Sequence, residues 1–156
     1  MKKKFLLKPI MLTLAALLTL VFLKFSFSEN TDPRLKLLWS AEKYIEERDF
    51  ISAEKNLKEA LAKDAKDSAA LRLLALIHRM QFEATKQRKF LELAKVEIEK
   101  SLKYTPNDLY ANGEAAMIYY HLKDKDKAMK AIEFAIKKDP QSSGWKSYKA
   151  QIQAMK

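Results

Sequence analysis

At 156 residues, with 48% apolar and 32% charged residues but only 2 Gly and 4 Pro, the chain has the length of one ordinary domain and the make-up of amphipathic helices. That balance excludes collagen-like and low-complexity classes, and the lack of Cys excludes a disulfide framework, thiolate chemistry and a lipidated-cysteine anchor. The formal charge of +10 shrinks with position: five of the 30 basic residues and none of the 20 acids fall in residues 1–28, leaving 25 against 20. Basic and acidic residues then alternate, as in Glu97-Ile98-Glu99-Lys100, which reads as solvated helix faces and argues against a nucleic-acid partner.

The first element is a membrane-targeting segment over residues 1–28. Lys2, Lys3, Lys4 and Lys8 precede a run from Pro9 to Leu23 without a charge. As helix, that run rises about 22 Å, against a hydrocarbon core of about 30 Å. Two outcomes fit. Ser26 and Ser28 suit a signal-peptidase cut after Ser28; Phe25 and Phe27 prolong the apolar stretch, and Lys8 and Lys24 can snorkel to the interfaces of a retained N-terminal anchor helix. In both, the leading lysines place the rest of the chain outside the cytoplasm, in the periplasm or cell envelope, with the membrane as a partner if the segment is kept. Residues 29–33 form a linker, in which Thr31 or Asp32 can cap the next helix with Pro33 in its first turn.

From residue 34 to 142 one spacing recurs. Ala41, Tyr44, Ala53, Ala60 and Ala65 follow at steps of three, nine, seven and five, and so do Ala116, Tyr119, Ala128, Ala135 and Pro140. Each set describes two amphipathic helices joined by a turn, and the small residues allow an approach of about 8–10 Å. A middle copy opens with Ala75 and His78 and closes with Ala94, Ser101 and Pro106, but sixteen residues separate His78 from Ala94. The excess of seven is almost two helical turns at 3.6 residues each, so the apolar face keeps its register and a taller hairpin turning near Gln87 is expected. The copies span 34–67, 68–108 with the insertion, and 109–142. After Pro140, Trp145, Tyr148, Ile152 and Met155 fall on one face of a final helix, 143–156, expected to cover the last hairpin.

These positions resemble the tetratricopeptide repeat (TPR) family. The resemblance rests on the small and aromatic pair of the first helix (Ala41 with Tyr44, Ala116 with Tyr119), the small residue opening the second (Ala53, Ala94, Ala128), the large apolar one after it (Leu57, Ile98, Ile132), the next small one (Ala60, Ser101, Ala135) and the closing Pro106 and Pro140. Two places depart from it. Asn112 stands where Leu37 and Leu71 supply a large residue in the other copies, and Ala65 replaces the first proline. The resemblance implies an all-α, TPR-like α-solenoid of three helical hairpins plus a capping helix. It also implies a non-catalytic adaptor that binds another protein or peptide segment in its concave groove. An accessory subunit of an envelope complex, held by its convex or terminal surfaces, is the alternative.

By the same resemblance, the first helix of each pair lines the groove. The first helix would present Leu38, Trp39 and Glu42, with Leu35, Ile45 and Glu46. The middle helix would present Arg72, Leu73, Leu76, Arg79 and Met80; the third, Tyr110, Tyr120 and His121 with Glu114 and Met117. TPR receptors for chaperone tails clamp a terminal carboxylate with Lys, Asn and Arg, but the matching places here hold Leu38, Glu42, Leu73, Tyr110 and Glu114, so that ligand is not expected. Arg72 and Arg79, seven apart, would grip an acidic group beside Leu73, Leu76 and Met80; alternatively they pair with Glu42 and Glu114 of neighbouring hairpins. His78 takes an aromatic's place and is expected to pack, while the run His121 to Asp126 suits a helix cap better than a metal. Two histidines and 2 Gly assemble no catalytic triad and no phosphate loop, so neither an enzyme nor a cofactor is expected.

Overall fold

The computed structural model describes residues 32–155, which form seven α-helices and no strand. They are α1 (Pro33–Glu46), α2 (Phe50–Lys63), α3 (Ser68–Thr85), α4 (Arg88–Tyr104), α5 (Leu109–His121), α6 (Lys125–Lys138) and α7 (Ser143–Gln153). The expected leader, residues 1–28, and the linker up to residue 31 lie outside the described residues. Among the described residues no helix is long and apolar enough to cross a membrane.

Short side chains start the helices. Asp49, Asp108 and Asp124 each accept a hydrogen bond from the backbone N–H three residues on, and Asp67 accepts from both Ala69 and Ala70 at 3.0 Å. Each satisfies a donor that the first helical turn leaves open. Ser142 does the same for α7, accepting from the N–H of Trp145. At the first helix, Asp32 accepts from the N–H of Arg34 at 2.8 Å.

The turns of the first and third hairpins are built alike. The N–H of Asp49 reaches the carbonyl of Tyr44 (2.9 Å) and that of Arg48 reaches Ile45 (3.1 Å); Asp124 to Tyr119 and Lys123 to Tyr120 repeat this at 3.0 and 3.1 Å. This double closure needs a left-handed residue, supplied by Arg48 (φ 59°) and Lys123 (φ 65°). The middle hairpin is longer, its helices having 18 and 17 residues, and it turns at Lys86 (φ 57°) and Gln87.

The core follows the recurring spacing. Ala41, Ala53, Ala60, Ala75, Ala94, Ala116, Ala128, Ala135 and Ser101 are all fully buried, as are the large partners Leu57, Ile98 and Ile132. At Ser101 the hydroxyl donates to the carbonyl of Ser68 at 2.8 Å, so its polar atom is satisfied. Asn112, the odd residue of the third copy, donates through Nδ2 to the carbonyls of Pro106 (3.0 Å) and Asp108 (2.7 Å) and fastens the entry of α5.

Apolar packing forms two clusters: α1, α2 and α3 around Leu57, Leu74 and Ile77, and α3 to α7 around Ile98, Ile118 and Ile132. The capping helix closes the second. Ile152 is buried, Trp145, Tyr148 and Met155 pack beside it, and the indole lies directly on Gly113, where a Cβ would come within 3.0 Å of three ring carbons. Lys125 Nζ donates to the carbonyls of Gln153 (2.9 Å) and Met155 (2.6 Å), holding the end of α7.

Candidate functional site: the face of the first helices

The face formed by α1, α3 and α5 carries two large exposed aromatics, Trp39 (61% exposed) and Tyr110 (62%). Arg72 on α3 links them. Its guanidinium lies 5.7 Å from the centre of the Tyr110 ring and 4.0 Å from Glu42 Oε1, one turn after Trp39 on α1. Beside Arg72 opens a cavity of about 270 Å³, lined by Glu42, Ile45, Glu46, Arg72, Leu73 and Leu76. Its floor is apolar and two carboxylates stand at its rim. Arg72 Nε is buried with no hydrogen-bond partner among the described residues, while the side chain as a whole keeps 20% of its exposure.

Solved structures share this arrangement of hairpins. A thermophilic TPR protein of Thermus thermophilus superposes with a TM-score of 0.69, over 90% of this chain and 76% of that one, at 18% identity. The fold is a TPR solenoid. No protein-family model matches the sequence, nor does any curated protein.

The groove treats its two arginines differently: their contacts are those of the pairing alternative, Arg72 with Glu42 and Arg79 with Glu114, and not of two guanidinium groups both open to one ligand. Arg79 is buried. Its Nε and Nη2 donate to Glu114 at 2.5 and 3.2 Å, and its Nη1 to Glu83 at 2.5 Å. Burial works against the charge of Arg79, but the two carboxylates outweigh it and hold the guanidinium protonated above its usual range. Burial pushes Glu114 up, against the pull of Arg79. At Glu83 burial is overcome by the hydrogen bond from His121 and by Arg79, so the carboxyl titrates below its usual range. Because His121 Nε2 lies 2.9 Å from Glu83 and its ring packs edge-on to Phe82 and Tyr120, it belongs to the same lock between α3 and α5.

Other groove candidates divide by burial. Leu38 and Leu73 are core residues; Leu76 and Met80 are half-buried beside them. Tyr120 is half-buried with Lys123 over its ring at 5.5 Å. What remains open to a partner is Trp39, Glu42, Arg72, Leu76 and Tyr110.

The structure also assembles a cluster that spacing alone did not reveal. His78 is buried and stacked on Phe90, with Nδ1 2.6 Å from Glu97 and Nε2 3.6 Å from Glu54, so one imidazole joins α2, α3 and α4. The sequence signal was indirect: a polar ring in an aromatic slot must find acceptors when buried. Among the described residues no group of three metal-ligating side chains converges, and Asp124 caps α6 through the N–H of Lys127.

Proposed function

We propose that this chain is a non-catalytic scaffold of the cell envelope that receives a segment of another protein against the face of α1, α3 and α5. One observation carries the reading: Trp39 and Tyr110 stand exposed on either side of Arg72, beside a 270 Å³ cavity with an apolar floor. Aromatic and arginine side chains supply most of the free energy at protein interfaces, where they fill pockets and exclude water. An apolar side chain of the partner would enter between Ile45, Leu73 and Leu76. An acceptor next to it would meet the part of the Arg72 side chain that stays exposed.

The export of the domain rests on the lysines ahead of Pro9 and on the positive-inside rule. The TPR fold supports a protein-binding role in general and the exposed aromatics support this face. The test is a pull-down from detergent-solubilised native envelope with the full chain, comparing Trp39→Ala/Tyr110→Ala and Arg72→Ala with Lys146→Glu on the exposed side of α7. Loss of a hot spot of about 2 kcal/mol weakens binding roughly thirtyfold, so the groove variants should lose partners that the control keeps. Retention of every partner by folded groove variants refutes the proposal.

A further inference from the structure

The charge of the solenoid is divided between its two sides. Helices α1, α3 and α5 hold five basic and four acidic residues, whereas α2, α4 and α6 hold thirteen basic against seven acidic, an excess of six. Two of those seven acids, Glu54 and Glu97, turn inward to His78, which leaves the outer side more basic still. Lys100, Lys103, Lys130 and Lys137 form no ion pair with any described residue. Aliphatic side chains are exposed on the same helices: Ile51 (85%) on α2, and Leu93 (45%) and Val96 (48%) on α4, these two at helical spacing from Lys100 and Lys103.

We infer that this outer face docks on the surface of an anionic lipid bilayer. Lysines around a few exposed aliphatics are what the headgroup region accommodates: the ammonium groups meet lipid phosphates while Leu93 and Val96 enter between the headgroups. Nucleic acid fits the face less well. Aliphatic side chains gain nothing from a phosphate backbone, and of the exposed aromatics only Tyr104 (41%) stands on these helices, too few for a stacking platform, while Trp39 and Tyr110 belong to α1 and α5. Docking this way leaves the groove pointing away from the bilayer, open to a partner.

Only nearness to the bilayer rests on the membrane-tethered reading. If Pro9 to Leu23 stays in the bilayer, the nine residues from Lys24 to Asp32 reach at most about 30 Å and hold the hairpins at the membrane surface. At that distance weak electrostatic contacts act at high effective concentration.

The full chain is reconstituted in vesicles of phosphatidylcholine, with or without about 30% phosphatidylglycerol, and pulsed with a membrane-impermeant acetylating reagent. Flotation with the neutral vesicles reports the tether. Lysine labelling, read by mass spectrometry, reports the face. Lys100, Lys103, Lys130 and Lys137 should label at least about threefold more slowly on the anionic vesicles, Lys43 and Lys146 should change little, and the difference should vanish at about 0.5 M salt, where charges are screened within a few Å. A folded Leu93→Ser/Lys100→Glu/Lys103→Glu chain should lose the protection of Lys130 and Lys137. Equal labelling on the two vesicles overturns the inference even when the chain floats with both. So does protection spread evenly onto Lys43, or protection by a DNA duplex with none by the vesicles. Failure to float with neutral vesicles, with the protection on anionic ones intact, removes the tether and leaves the face.

Discussion

Replacing Arg79 with Met should be among the most damaging changes in the groove, although the site looks like a binding surface in sequence. The side chains of Arg79 and Glu114 keep only 9% and 7% of their exposure, so Arg79→Met leaves a carboxylate buried without its two hydrogen bonds. Breaking a buried pair from one side costs about 3–5 kcal/mol. Uptake of a proton by Glu114, which burial already favours, relieves part of it, so about 3 kcal/mol is expected. The Arg79–Glu83 bond adds little, because Glu83 is 40% exposed and screened. At roughly 4 °C per kcal/mol for a domain of this size, the thermal midpoint falls by about 12 °C. Glu114→Gln should cost less, about 1–2 kcal/mol, since the guanidinium keeps Glu83. The double change Arg79→Met/Glu114→Leu should return to within about 1 kcal/mol of the parent. Circular dichroism melts of the four proteins, with urea titrations to give the free energies, measure these differences. A loss below about 1 kcal/mol for Arg79→Met alone would mean that the pair is solvated, and that the groove offers two guanidinium groups instead of one.

Three further outcomes concern the turns, the cap and the titrating groups. Lys123→Gly relieves a left-handed residue at the third turn and should raise the thermal midpoint, by about 0.5–1 kcal/mol of stability; a fall would show that the Lys123 contact with Tyr120 outweighs the strain. Gly113→Ala drives a methyl into the Trp145 ring and should destabilise by about 1–3 kcal/mol while shifting the tryptophan emission; unchanged melting and emission would mean that α7 does not pack there. Asp49, Asp124 and Glu83 titrate below their ordinary values, Asp49 through its bonds from Ser52, Asp124 through the backbone N–H of Lys127, and Glu83 through His121 and Arg79 against its burial. A carboxylate held low contributes stability that is present above its ordinary pKa and lost as pH falls through the lowered one, so the thermal midpoint should drop below about pH 4. Glu83→Gln should flatten that fall; an unaltered pH profile would refute its share.

The repeat was legible because its requirements are local. A helix crossing that admits only small side chains fixes Ala53, Ala60, Ala128 and Ala135 by spacing along one helix, and all four are fully buried. The Tyr44 and Tyr119 carbonyls close identical turns for the same reason. Register between helices was not legible. Arg72 and Arg79 share a face of α3, yet one lies by Tyr110 and the other by Glu114, 35 residues away in the chain, and only the packing of α3 on α5 decides which arginine is sealed. Spacing named Glu42 and Glu114 as the partners of the two arginines, and those pairs form, but it did not say which pair would be sealed. It gave no sign that Glu83, in the added turns of the middle hairpin, would join His121 to Arg79.

Photocrosslinking reads directly which face meets protein. A photoreactive residue is placed in the full chain at Trp39, at Tyr110 or at Ile51, whose side chain is 85% exposed on the outer side, and the cells are irradiated. Discrete protein adducts from Trp39 and Tyr110, with none from Ile51, are the predicted result. Protein adducts from Ile51 alone, or equally from all three positions, would contradict it.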